Sequence, residues 1–127
     1  MLDHMALRCL VVDDSVRFLE SARLLLERQG VQVEVASTGS EALRRVDELH
    51  PDVVLLDIDL GEESGFDVAR RLSGSVSDVA WSGELSIILV STHAERDFEE
   101  LIEASPALGF LSKSSLSADA IQELLHH

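Results

Sequence analysis

The sequence predicts an α/β fold built on a five-stranded parallel sheet with helices on both faces. Short apolar runs alternate five times with longer segments of helical period, the pattern of successive βα units. Four of the runs are nearly continuous in apolar residues, as strands covered on both faces should be. The remaining run alternates Val31, Val33 and Val35 with Gln32 and Glu34, which places it at a sheet edge with one side tolerant of water.

The first run, 7–12, leads into Asp13-Asp14. Phe18, Leu19, Ala22, Leu25 and Leu26 then fall on one face of a first helix. The alternating run, 31–36, is followed by Thr38 and Glu41 at capping-box spacing, by Ala42, Leu43, Val46 and Leu49 at helical spacing, and by Pro51, which helps to stop that helix. The third run, 53–56, ends at Asp57, and a third helix starts near Gly65. Residues 73–84 are polar, rich in Ser and Gly and without period, and read as an extended loop, with a short helical continuation left open, holding Trp81, the only tryptophan. The fourth run, 87–90, leads into Ser91-Thr92, and Phe98, Leu101 and Ile102 mark a fourth helix. The fifth, 107–111, leads through Ser112 into Lys113, and Ser117 caps a fifth helix carrying Ile121, Leu124 and Leu125. Right-handed crossovers fix the hand of the sheet.

A chain of 127 residues is the size of one domain, and 1–127 is expected to be one. Ten Lys plus Arg against 24 Asp plus Glu give a formal charge of −14, which argues against nucleic-acid binding by this chain alone. The apolar runs are too short to cross a membrane. Cys9, the single cysteine, lies inside an apolar run as a small core residue; with no leader in view, a reduced, cytoplasmic setting is expected.

The strand ends carry the chemistry. In an open parallel sheet the carboxyl ends share one edge, where the binding crevice forms at the topological switch point. Asp13, Asp14, Asp57, Ser91 and Lys113 should therefore meet in one small volume. Two carboxylates 4 Å apart repel by about 4 kcal/mol at an effective dielectric of 20, and Lys113 offsets only one charge. An all-oxygen site of this kind suits Mg²⁺, which keeps several waters and prefers carboxylate and phosphate oxygens. With a metal, a lysine and a hydroxyl each taking one phosphoryl oxygen, Asp57 is placed to attack as a carboxylate nucleophile and form an acyl phosphate.

These residues resemble the receiver domain of two-component response regulators over essentially the whole chain. The resemblance rests on Asp13-Asp14, Asp57, Ser91, Lys113 and the Gly109-Phe110 pair before that lysine. It implies the flavodoxin-like sheet order 2-1-3-4-5, with Asp57 as phospho-acceptor, Asp14 as direct Mg²⁺ ligand and Asp13 acting through water. The backbone carbonyl of Asp59 would complete the protein ligands, and Ser91 and Lys113 would hold phosphoryl oxygens. It also implies a histidine kinase or phosphotransfer protein as donor, and a homodimer or output domain engaged through the fourth helix, fifth strand and fifth helix. The ending from Gly109 to Ser114, without proline, looks most like receivers attached to helix-turn-helix output domains.

Phe110 is either core or the family's aromatic switch. The resemblance implies that Asp59 and His93, two residues past the acceptor and the switch hydroxyl, flank the path of the water that removes the phosphoryl group, with Thr92 adding shielding. Three departures from the family pattern bear on the site. Ser114 replaces the usual Pro after the lysine, Thr92 is bulkier than usual, and Leu60-Gly61-Glu62-Glu63 makes the loop after the acceptor more acidic and flexible than usual. Two rival readings remain. Asp57-Ile58-Asp59 has the D-x-D spacing of haloacid-dehalogenase-type phosphatases, although the acidic pair then lies on the wrong side and no cap domain fits. A receiver-like interaction module that takes no phosphate is the other.

Overall fold

A computed structural model of the protein describes residues 7–75, 85–93 and 95–126. Five parallel strands form the main sheet: β1 (Arg8–Val12), β2 (Gln32–Ala36), β3 (Val53–Asp57), β6 (Ser86–Ser91) and β7 (Gly109–Ser112). A separate two-stranded hairpin, β4 (Asp59–Leu60) and β5 (Glu63–Ser64), follows β3. The main sheet runs β2-β1-β3-β6-β7, which is the 2-1-3-4-5 order of its five strands, and β2 lies at an edge as its alternation predicts. The helices are α1 (Val16–Arg28), α2 (Gly39–Leu49), α3 (Gly65–Ser75), α4 (Glu99–Glu103) and α5 (Ala118–Leu125).

The continuous apolar runs are explained by two cores, one on each face of the sheet. Leu10, Val12, Val54, Leu56, Ile87 and Leu89 face α2 and α3, packing with Val46, Phe66 and Leu72. Their neighbours Cys9, Val11, Val53, Leu55, Ile88 and Val90 face α1 and α5, packing with Leu19, Leu26 and Ile121. Strand period 2 sends successive side chains into opposite cores, and each fully buried Leu, Ile or Val stabilises the fold by about 1.5–3 kcal/mol.

Local chemistry sets the helix ends. Ser15, Thr38 and Ser117 cap α1, α2 and α5, their side chains accepting from the N–H of Phe18, Glu41 and Ala120. The capping box at α2 is offset by one residue: Glu41 accepts from the N–H of Ser37 (2.8 Å) rather than that of Thr38. That backbone donor holds the Glu41 carboxyl below its ordinary value, against the opposing effect of burial. His50, left-handed at φ 46°, ends α2 just before Pro51.

Several expected boundaries shift. Ser73 and the two residues after it continue α3, the short helical continuation that the sequence left open, and 76–84, with Trp81, lies outside the described residues. The loop after Asp57 forms a short hairpin turned by Gly61 at φ 78°, an element that the sequence did not indicate. Leu25 and Leu101 do not lie on the buried helix faces, being 38% and 53% exposed. In α1 the Leu19, Ala22 and Leu26 stripe takes the core, and α4 has five residues, with Phe98 and Ile102 turned inward and Leu101 outward.

Candidate functional site

The parallel register brings the carboxyl ends of β1, β3, β6 and β7 to one edge. Val12 pairs with Leu56, Asp57 with Val90, and Ser91 with Ser112. Asp13, just past β1, is fully buried; it accepts from the Ser15 N–H at 2.8 Å and from Lys113 Nζ at 2.5 Å. Asp57, the last residue of β3, is also buried, and accepts from the Asp59 N–H and from Lys113 Nζ, both at 3.0 Å. Asp14 is exposed beside them, and Asp13, Asp14 and Asp57 each offer a carboxylate oxygen within 4.8 Å of the others.

This donor set fits a hard divalent cation: three carboxylates face one ammonium, and exposed Asp14 leaves room for water ligands. Burial raises Asp57 to about 6. The Asp59 N–H and Lys113 oppose that shift, and the neighbouring Asp13 charge adds to it. Burial pulls the Lys113 ammonium down, yet its hydrogen bonds to Asp13 and Asp57 outweigh it and leave Lys113 above its ordinary value. Lys113 therefore stays charged, as a partner for anionic oxygens must.

Ser91 is buried, and its hydroxyl accepts from the His93 N–H at 3.0 Å, with the His93 Nδ1 3.5 Å away. The His93 ring meets that of Phe98 edge-on, at 6.1 Å between centroids, and Phe98 packs on Phe66. Thr92 is exposed and shares an apolar depression with Phe18, Leu25, Lys113 and Leu116. Phe110 points inward as part of the α2/α3-side core, 9% exposed. Asp59 carries a side chain turned back to the Gly61 N–H at 3.0 Å, within its own hairpin. Among the described residues no peptide bond is cis, so Lys113–Ser114 is trans, and Lys113 still reaches both carboxylates.

Three contributors escaped the sequence reading. A Cβ on Gly65 would lie 2.1 Å from the Asp57 carbonyl oxygen, so only glycine lets α3 start against the Asp57 backbone. Glu63 accepts from the Gly39 N–H at 2.8 Å and pairs with Arg71, tying the hairpin to the start of α2. Phe18, read only as a core residue, lays its ring 4.2 Å from Lys113 Nζ. The helix start at Gly65 and the departures at 60–63 were visible signals, but neither gives the path of the chain.

The fold and part of the sequence recur in known proteins. The chain is 48% identical over 65 residues to the transcriptional regulatory protein KdpE of Mycobacterium tuberculosis, covering 51% of this chain and 29% of that protein. It is 36% identical over 74 residues to the sensor histidine kinase AtsR of Burkholderia thailandensis, covering 58% of this chain and 12% of that protein. The chain thus spans less than a third of the length of either relative. In structure it is similar to a CheY-like response regulator receiver domain protein from Methanospirillum hungatei, with a TM-score of 0.77, 22% identity and coverage of 95% of this chain and 92% of that one. Residues 9–126, from within β1 to the end of α5, match the sequence model of the response regulator receiver domain, and the chain belongs to that family.

Proposed function

We propose that Asp57 accepts a phosphoryl group from a histidine kinase or phosphotransfer protein, and that the domain, one unit over 1–127, signals by the change that follows. The observation that carries this reading is Lys113 Nζ held 2.5 Å from Asp13 and 3.0 Å from Asp57, beside exposed Asp14. An Asp57 carboxylate oxygen attacks phosphorus, a P–O bond to Asp57 forms, and the donor's P–N bond breaks, its imidazole leaving with a proton. Lys113 and Ser91 hold phosphoryl oxygens. Asp14 and Asp57, with the backbone carbonyl of Asp59 and with Asp13 acting through water, would hold Mg²⁺, which would neutralise charge on the transferring group.

Kinase partnership is supported by a regulator and a sensor kinase among the relatives. Exposed Leu101 and Leu108 leave apolar contact area toward α4 and β7 for a homodimer or output domain. The formal charge of −14 disfavours direct nucleic-acid contact, and no helix among the described residues is long and apolar enough to cross a membrane. We assign the protein to the cytoplasm.

The phosphatase alternative needs Asp59 to act on an ester held at Asp57; its side chain is instead engaged by Gly61. Intact mass after incubation with phosphoramidate tests the proposal. One added phosphoryl group, dependent on Mg²⁺ and lost in Asp57→Asn, is expected. Undiminished labelling of the Asn variant overturns it, and steady ester turnover would favour the phosphatase.

A further inference from the structure

We propose that Phe18 is a positioning residue for Lys113, its ring face keeping the ammonium between Asp13 and Asp57, where it meets an incoming phosphoryl oxygen. An ammonium has three N–H donors and no acceptor. Asp13 takes one at 2.5 Å, Asp57 another at 3.0 Å, and the ring centroid of Phe18 lies 4.2 Å from the nitrogen. The negative face of an aromatic ring attracts a cation, more strongly where water is displaced, and the Lys113 side chain is only 16% exposed.

One short segment builds both sides of this clamp. Asp13 accepts from the Ser15 N–H, and Ser15 accepts in turn from the Phe18 N–H, so the cap of α1 places carboxylate and ring around the same ammonium. Phe18 itself is fixed, half-buried against the α1/α5-side core. Without the ring, a flexible four-carbon stem would be free to swing its head into water. With it, the head is preorganised for the oxygen that gains charge during transfer. Lys113 stays protonated throughout and only exchanges hydrogen-bond partners.

The inference rests on reading Asp57 as the phospho-acceptor, and the test separates the two. Lys113 is the only lysine in the chain, so lysine-selective ¹³C labelling gives one unambiguous Cε signal. Phe18→Leu keeps an apolar side chain and removes the ring face, whereas Phe18→Tyr keeps the face; Phe18→Met replaces the Leu variant if that one melts below assay temperature. The expected result has three parts. The Lys113 signal is ring-shifted in wild type and Phe18→Tyr and relaxes in Phe18→Leu. Phosphorylation by phosphoramidate with Mg²⁺ slows about fivefold to tenfold in Phe18→Leu, in keeping with a partly desolvated cation–aromatic contact, and stays within about twofold in Phe18→Tyr. Mg²⁺ affinity, measured by calorimetry, is unchanged.

Equal rates in wild type and Phe18→Leu overturn the inference. So do equal losses in the Leu and Tyr variants, which would mean packing alone, or an unshifted Lys113 signal in wild type. A wild-type protein that takes no phosphoryl group at Asp57 overturns the acceptor reading instead, while the Lys113 signal still reports on the Phe18 contact.

Discussion

A methyl group at position 65 would sit 2.1 Å from the Asp57 carbonyl oxygen and 2.7 Å from the Ile58 Cα, both backbone atoms that no rotamer change can clear. The Gly65 N–H also donates to the Ile58 carbonyl, so α3 cannot back away without losing that bond. Gly65→Ala should therefore destabilise the protein by about 3 kcal/mol, at the top of the overpacking range, as a lower urea midpoint. Gly74→Ala, in the same helix with no atom within 4 Å of its added Cβ, should be neutral or stabilising by up to about 1 kcal/mol. Equal midpoints for the two variants would show that the close approach does not constrain the fold. Cys9 offers an independent probe: burial pushes its thiol up to about 12, so maleimide should modify it only through unfolding. The Gly65→Ala variant should then label faster than wild type at the same pH.

Between elements, the signal is expected to run from β6 through β7 and α4. The Ser91 hydroxyl is held by the His93 N–H, His93 leans on Phe98 at the start of α4, and Phe110 is paired with Leu89 and already inward. A phosphoryl oxygen that draws the Ser91 hydroxyl toward Asp57 must loosen the His93 contact and bias these neighbours. Such a ligand shifts the equilibrium only by its differential affinity for the two arrangements. Beryllofluoride with Mg²⁺ should move backbone NMR signals of His93, Phe98, Leu101 and Phe110, and Ser91→Ala should suppress those distant shifts while sparing Asp14 and Asp59. Identical shifts in the Ser91→Ala protein would rule this route out. The same elements mark what a sequence can reveal. Strands, their order at the β2 edge and the meeting of Asp57 with Lys113 were legible, because period 2 and parallel pairing leave few arrangements. The β4–β5 hairpin, the outward Leu101 and the ring over Lys113 were not. They depend on loop path and helix length, which no periodicity encodes. The capping box at α2 was legible to within one residue, since Thr38 caps as expected and only the Glu41 partner moved.

For the molecule as a whole, the carboxylate cluster at the sheet edge should lower stability in the absence of a cation. Fourteen net negative charges already oppose compaction, and Asp13, Asp14 and Asp57 concentrate three carboxylates at one sheet edge. Asp57 is raised from 3.8 to about 6, first by burial, so the fold favours its neutral form. A carboxyl whose folded value lies above its unfolded one imposes no penalty below pH 3.8. It costs stability progressively as pH rises from there to about 6, and a constant amount above. The size is at most about 3 kcal/mol at 1.36 kcal/mol per unit. Acidic groups away from the cluster are common to wild type and Asp57→Asn, so the difference between the two proteins isolates the cluster of Asp13, Asp14, Asp57 and Lys113. In metal-free buffer at pH 7.5, Asp57→Asn should melt several degrees above wild type, and the gap should close as pH falls to 4. Added Mg²⁺ should stabilise wild type and narrow the gap, because the cation offsets the charge that burial penalises. If Asp57→Asn melts below wild type at pH 7.5 without Mg²⁺, or the gap is the same at pH 4, burial of Asp57 is not a net cost and Lys113 fully compensates its charge.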